Sequence, residues 1–293
     1  MKTPAHSIAM QHQQGYEVYK LNNGELEIAV VPELGAKIIS LKNLRTGREW
    51  MCHPPGGAKL FRNHVGDDFS KSPLIGADDC LPTIAPCSWQ GRELPDHGEV
   101  WSMPWKVDFD SWEKGILKTS CRLKISPFEL QRTIELDGGE VRLSYQLRNL
   151  SAHPESFLWA FHPLLRLQPG DQLALPHSTR ALLNDTAWAG AIDSAIPEKH
   201  CVKKFAASVT EGMAGIHNRV TRDRLDFIWD ATENHTLGLW LTRGGWHGHH
   251  HFAIEPTNGD ADALAHAAGR NKCGTVPASD SVAWQIRLRV GTA

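Results

Sequence analysis

Val141-Arg142-Leu143-Ser144-Tyr145-Gln146-Leu147-Arg148 places an apolar or aromatic side chain at every odd position and a polar one at every even position. Successive side chains of an extended strand point to opposite faces, so this stretch reads as a strand with one face in a core and one in water. Glu129–Leu136 lies just upstream, and Asp137-Gly138-Gly139 separates the two. Asp-Gly tolerates the left-handed backbone of a tight turn, so Glu129–Leu136 and Glu140–Asn149 are predicted to form an antiparallel hairpin. The same alternation recurs at Leu117, Thr119, Cys121, Leu123 and Ile125, and at Val282, Trp284, Ile286, Leu288 and Val290. Asn22-Asn23-Gly24 is a turn signal ahead of a strand at Leu26–Val31. No long segment keeps a 3.6-residue period, and Ala261–Ala268 is the best helical candidate. Many strands, tight turns and few short helices predict an all-β sandwich or barrel.

A chain of 293 residues with 41% hydrophobic side chains can bury a large core in a single unit. No linker or composition shift divides it, so one domain spanning 1–293 is expected. Met1–Gly15 is polar and rich in His and Gln, and is expected to be a disordered tail rather than a secretory signal. The net charge of −2 is spread along the chain, which argues against nucleic acid or a membrane surface as partner. Six cysteines without a CxxC pair in a chain this long fit a reducing cytoplasm. Eleven tryptophans against three tyrosines are unusual; most should be core, but the flat indole also stacks on the apolar face of a sugar ring.

Three segments concentrate chemistry. Gly91–Trp101 crowds Arg92, Glu93, Asp96, His97, Glu99 and Trp101 into a Gly/Pro-containing loop. Phe157–Pro163 is an apolar run ending in His162, and His251–Thr257 is an apolar run broken by Glu255. Pro163 and Pro256 cannot donate to a ladder, which predicts that His162 and Glu255 sit at strand ends. A carboxylate among apolar neighbours is costly to bury and so suggests a purpose. The run His247–His251 adds a rival reading: His249, His251 and Glu255 would share one strand face and could hold a metal ion.

Taken in order along nearly the whole chain, these segments resemble the aldose 1-epimerase (galactose mutarotase-like) superfamily, as an atypical branch. The resemblance runs through Asn23-Gly24-Glu25-Leu26, Pro32-Glu33-Leu34-Gly35-Ala36, Asp96-His97-Gly98, His162-Pro163, Ile254-Glu255-Pro256 and a last strand at Ser281–Val290. It implies a large antiparallel β-supersandwich and an enzyme that interconverts the α and β anomers of an aldose without a cofactor. It implies Glu255 as general base, His162 as general acid and His97 as a contact to the ring oxygen or a hydroxyl. Asp78, Asp79, Asp96, Arg62 and Trp101 join these as substrate-binding candidates. A sugar would be the partner, and a monomer or homodimer the assembly. Pro163-Leu164-Leu165 and Trp101 depart from the galactose and phosphosugar branches and leave the sugar open. Three other readings stand beside this one: a carbohydrate-binding protein without catalysis, a metal-dependent enzyme, and a sugar-cleaving enzyme drawing paired carboxylates from Asp78, Asp79, Asp96 and Glu99.

Overall fold

The computed structural model describes residues 7–54, 57, 59–183 and 191–292. In chain order its first strands are β1 (Ser7–Gln13), β2 (Tyr16–Asn22), β3 (Leu26–Val31), β4 (Lys37–Asn43), β5 (Ala77–Cys80), β6 (Cys87–Trp89) and β7 (Arg92–Leu94). Next come β8 (Lys106–Val107), β9 (Leu117–Arg122), β10 (Phe128–Asp137), β11 (Glu140–Asn149), β12 (Glu155–Phe157), β13 (Ala160–Pro163) and β14 (Asp171–Ala174). The last are β15 (Cys201–Ala207), β16 (Met213–Asn218), β17 (Asp223–Trp229), β18 (Thr236–Arg243), β19 (His250–Thr257), β20 (Gly274–Val276) and β21 (Ser281–Thr292). Three short helices accompany them among the described residues: α1 (Phe109–Trp112), α2 (His177–Leu183) and α3 (Leu264–Gly269). Among the described residues no helix is long and apolar enough to cross a membrane.

Nine strands form one antiparallel sheet in the order β1-β2-β3-β4-β5-β13-β19-β18-β15, and eight form another in the order β14-β16-β17-β21-β11-β10-β9-β8. The hairpin predicted at 137–139 is present, with Glu129 paired to Arg148 and Leu136 to Val141. Its alternating apolar residues face inward, where Leu130, Ile134, Leu143, Leu147, Ile286 and Leu288 meet Ile28, Ile38, Phe161, Leu239 and Ile254 of the larger sheet. Each fully buried aliphatic side chain of this layer contributes about 1.5–3 kcal/mol. The fold is therefore a two-sheet β sandwich, as the alternation predicts.

Three details differ from the sequence reading. Ser7–Gln13, expected within a disordered tail, is an edge strand paired with β2. Its side chains are mostly exposed, so a polar composition does not conflict with backbone pairing. The helix expected from Ala261 starts later, at Leu264. Pro256 lies inside β19 rather than beyond its end, paired with Leu237 of β18. On the other side of β19 the register to β13 is confined to Ala160 and Thr257, and this interrupted ladder tolerates a residue without an N–H.

Candidate active site

The core takes one face of each strand of the nine-stranded sheet, and the outer face carries the alternate residues. Ile38 pairs with Ala77, which sets Lys37 across from Asp78. Asp78 pairs with His162, and the Ala160–Thr257 register sets His162 across from Glu255. Glu255 in turn pairs with Gly238, and Gly238 with Phe205. A row of charged and titratable side chains thus crosses six strands on one face, five of which contribute to it: Lys37, Asp78, His162, Glu255 and, reaching in from β15, Lys203.

His162 Nε2 lies 3.7 Å from Glu255 Oε1, with the two side chains 2% and 0% exposed. Lys203 Nζ contacts the other carboxylate oxygen at 3.2 Å and Asp262 Oδ1 at 2.6 Å. Burial alone would lower the Lys203 pKa; Glu255, then Asp262, outweigh it and raise it above the usual lysine value. Lys203 is therefore a firm cation beside Glu255. Gly238 makes room for this arrangement, since a Cβ there would come within 3.1 Å of Glu255 Oε2 and 3.2 Å of its Cβ. At the other end of the row Lys37 forms an ion pair with Asp78. Burial raises the Asp78 pKa against the pull of Lys37.

Desolvation pushes His162 well below the ordinary histidine pKa, and His97 and Lys203 push the same way. A carboxylate neighbour such as Glu255 would by itself do the opposite and raise a histidine. Enclosure wins because Phe69, His97 and Trp240 surround the ring, at centroid distances of 5.4, 5.2 and 6.0 Å, and replace the water an imidazolium needs. His162 Nδ1 is buried without a hydrogen-bond partner among the described residues.

His97 is held from three sides. Its backbone has φ +56°, its ring stacks on Phe69 at 3.8 Å, and its Nδ1 lies 3.0 Å from Asp96 Oδ1. The next residue, Gly98, seats this turn against the end of β5, where a Cβ would meet the Leu81 carbonyl oxygen at 2.1 Å. Asp96 also accepts from the Phe69 amide at 3.3 Å. Trp101 is buried, donates its indole N–H to the Asp96 carbonyl at 3.0 Å and backs Phe69 edge-on. It supports the site from behind and offers no open stacking face.

Two further candidates are not brought to the site. Asp79 is one residue out of phase with Asp78 and points into the core, where Arg132 Nη1 lies at 2.7 Å and the Trp159 indole donates at 3.0 Å. Arg62 stands exposed between β4 and β5. The paired carboxylates of a cleaving enzyme are also absent from the positions considered. Glu99 is fully buried and accepts the amides of Lys124 and Ile125 at 2.7 Å and of Ser126 at 3.0 Å, Asp79 faces inward, and Asp78 is bound to Lys37. His249, His251 and Glu255 cannot converge on one ion, because His251 and Glu255 are four residues apart on one strand, about 13 Å.

Several residues of the site were not singled out in the sequence: Lys37, Phe69, Lys203, Trp240 and Asp262. Lys37 had a usable signal, a charge directly ahead of Ile38-Ile39 at the head of a buried strand. Lys203 had none, because Lys203-Lys204 looks like any solvated strand face. Beside the row, Trp240 and Trp246 meet edge-on at 5.0 Å. Beyond them a cavity of about 500 Å³ is lined by Arg166, Thr242, Arg243, His249 and His251 among others.

No known family's sequence profile matches the chain, nor does any curated protein. Solved structures do. A candidate aldose 1-epimerase from Klebsiella pneumoniae aligns with 98% of this chain and 84% of its own at TM-score 0.74 and 14% identity. A galactose mutarotase-like protein from Clostridium acetobutylicum aligns with 98% of this chain and 99% of its own at TM-score 0.71 and 13% identity. A Synechocystis protein aligns over 100% of this chain and 98% of its own at TM-score 0.70 and 16% identity. At such identities the likeness speaks for architecture, and in architecture it extends from end to end: the chain has the galactose mutarotase-like fold.

Proposed function

We propose that the protein is an aldose 1-epimerase, exchanging the α and β anomers of an aldose by acid/base ring opening. The observation that carries this reading is the placement of His162 Nε2 3.7 Å from Glu255 Oε1 on the outer sheet face. Anomer exchange needs one group to take the C1 hydroxyl proton and another to give a proton to the ring oxygen. Glu255, with Lys203 fixed beside it, takes the first; protonated His162 gives the second, and the C1–ring-oxygen bond breaks. The open aldehyde turns about C1–C2, and closure on the other face reverses both transfers. Each well-placed acid or base contributes roughly 10²–10⁴-fold. His97 and Asp78, flanking His162, are placed to bind hydroxyls, and Trp240 and Trp246 to stack on the ring.

His162 and Glu255 are nearly sealed, so substrate must displace one of the rings around His162. That enclosure also favours a second reading, a sugar-binding protein without turnover. With its six cysteines unpaired, the protein is assigned on this reading to a reducing cytoplasm. The test is NMR of fresh α-anomers of glucose, galactose, xylose and a uronic acid with wild type and Glu255→Gln. Acceleration by wild type that the variant lacks supports an epimerase. Binding of a sugar without acceleration favours the second reading.

A further inference from the structure

One buried group of the site has no part in the proton transfers. Cys80 closes β5, two residues from Asp78 and on the same face, and lies directly across from Ala160 of β13. Its sulfur, one ring nitrogen of His97 and one of His162 all lie within 4.8 Å of one another. Among the described residues this is the one cluster of three or more potential metal ligands.

We propose that Cys80, His97 and His162 form a binding site for a soft divalent cation of the zinc(II) type, overlapping the acid/base pair. A thiolate and two imidazoles are a donor set that suits zinc. Four ligands at zinc's bond lengths of about 2.0–2.3 Å stand about 3.3–3.8 Å apart, so the cluster must close by roughly 1 Å, within reach of small side-chain rotations. The supporting contacts are those a metal site uses. Asp96 Oδ1 holds Nδ1 of His97 at 3.0 Å, which leaves Nε2 for the ion in a carboxylate–histidine–metal arrangement. His162 contributes a buried Nδ1 with no hydrogen-bond partner among the described residues. Glu255 lies 3.7 Å from His162 Nε2, on the far side of the ring from Nδ1, so water rather than Glu255 fills the fourth position.

Charge also favours a cation. Lys37, Asp78, Asp96, Glu255, Lys203 and Asp262 in their ordinary ionised forms sum to two negative charges. A divalent cation that displaces the Cys80 proton adds one positive charge and halves that excess. Binding releases that proton to solvent, and no redox change is involved. Binding stands independently of the epimerase reading. Its consequence, that zinc removes His162 from proton transfer and stops anomer exchange, rests on that reading.

The experiment titrates the purified full chain with zinc chloride against a chromophoric chelator, and separately with cobalt(II) chloride followed by absorption. The proposal expects one zinc per chain, release of close to one proton, and a thiolate-to-cobalt charge-transfer band in the near ultraviolet. Cys80→Ser should abolish that band while circular dichroism remains native, and Asp96→Asn should weaken zinc roughly 10–100-fold. Zinc should halt anomer exchange by wild type and leave exchange by Cys80→Ser unaffected. A cobalt complex of wild type without the thiolate band, absence of stoichiometric binding, or equal zinc affinity in Cys80→Ser would each overturn the site. A wild type that binds zinc as stated but never exchanges anomers overturns the epimerase reading and leaves the metal site standing.

Discussion

His162 shows how far a side chain's chemistry depends on what surrounds it. The family resemblance implies a general acid, a role that needs a protonated imidazole; burial among the Phe69, His97 and Trp240 rings instead pushes its pKa well down and favours the neutral form. The form competent to donate to a ring oxygen is then a minority whose population grows as pH falls. Accordingly, kcat/KM should rise as pH is lowered from 8 through 6, and a flat profile over that interval would rule out a protonated His162 as donor. Lys203 is the residue the sequence hid most completely. Lys203→Met strips the buried Glu255 carboxylate of its cation, so kcat should fall by roughly tenfold or more while KM changes little. Steady-state kinetics of that variant decide the matter, and an unchanged kcat would make Lys203 a bystander. Asp78 and Asp79 teach a related lesson. As neighbours they read alike, yet strand parity sends one to the outer face and the other to the core.

At the level of elements, the legible parts were those with one wet face. β11 alternates cleanly and β10 does so except at Arg132, and their hairpin was predicted from that alternation and the turn between them. Arg132, at an inward position of β10, broke the alternation and was a readable sign of the buried partner it has in Asp79. The stretch from 170 to 225 was not legible, because strands such as Cys201–Ala207 are half-buried on both faces and carry no period. The loop that ends β9 gives a prediction of its own. Glu99 gathers three backbone amides of residues 124–126, all hydrogen bonds to a charge, each worth about 1.5–3 kcal/mol. Glu99→Gln can satisfy only part of them and should lower the unfolding free energy by about 2 kcal/mol or more, read as a lower urea midpoint. A midpoint equal to wild type would show that this loop is not held by Glu99.

For the whole molecule, two buried groups link the sandwich to solution conditions. Asp79 joins the two sheets through Arg132 and takes no part in the proposed chemistry. Asp79→Asn should therefore cost about 3–5 kcal/mol of stability, as loss of one partner of a buried pair does, and leave kcat/KM of the folded fraction unaltered. A kinetic defect without a stability defect would return Asp79 to the site. His251 is buried, and desolvation lowers its pKa to about 3, with His249 and His250 acting in the same direction. Its unfolded form titrates near 6.5, so between about 6.5 and 3 the unfolded chain binds the extra proton. Folding stability should fall as pH drops through that window, by roughly 1.4 kcal/mol per unit at most. His251→Gln should flatten the slope in urea titrations.

The central claim is that Glu255 and His162 act together on the anomeric centre. Its most direct test is the anomer-exchange rate, by NMR, of wild type, Glu255→Gln, His162→Asn and the double variant on the best sugar of the panel. Two groups that move protons in one ring opening fail as a unit. Each single variant should lose roughly 10²-fold or more, and the double variant no more than the worse single. Wild-type exchange rates in either single variant would contradict the account.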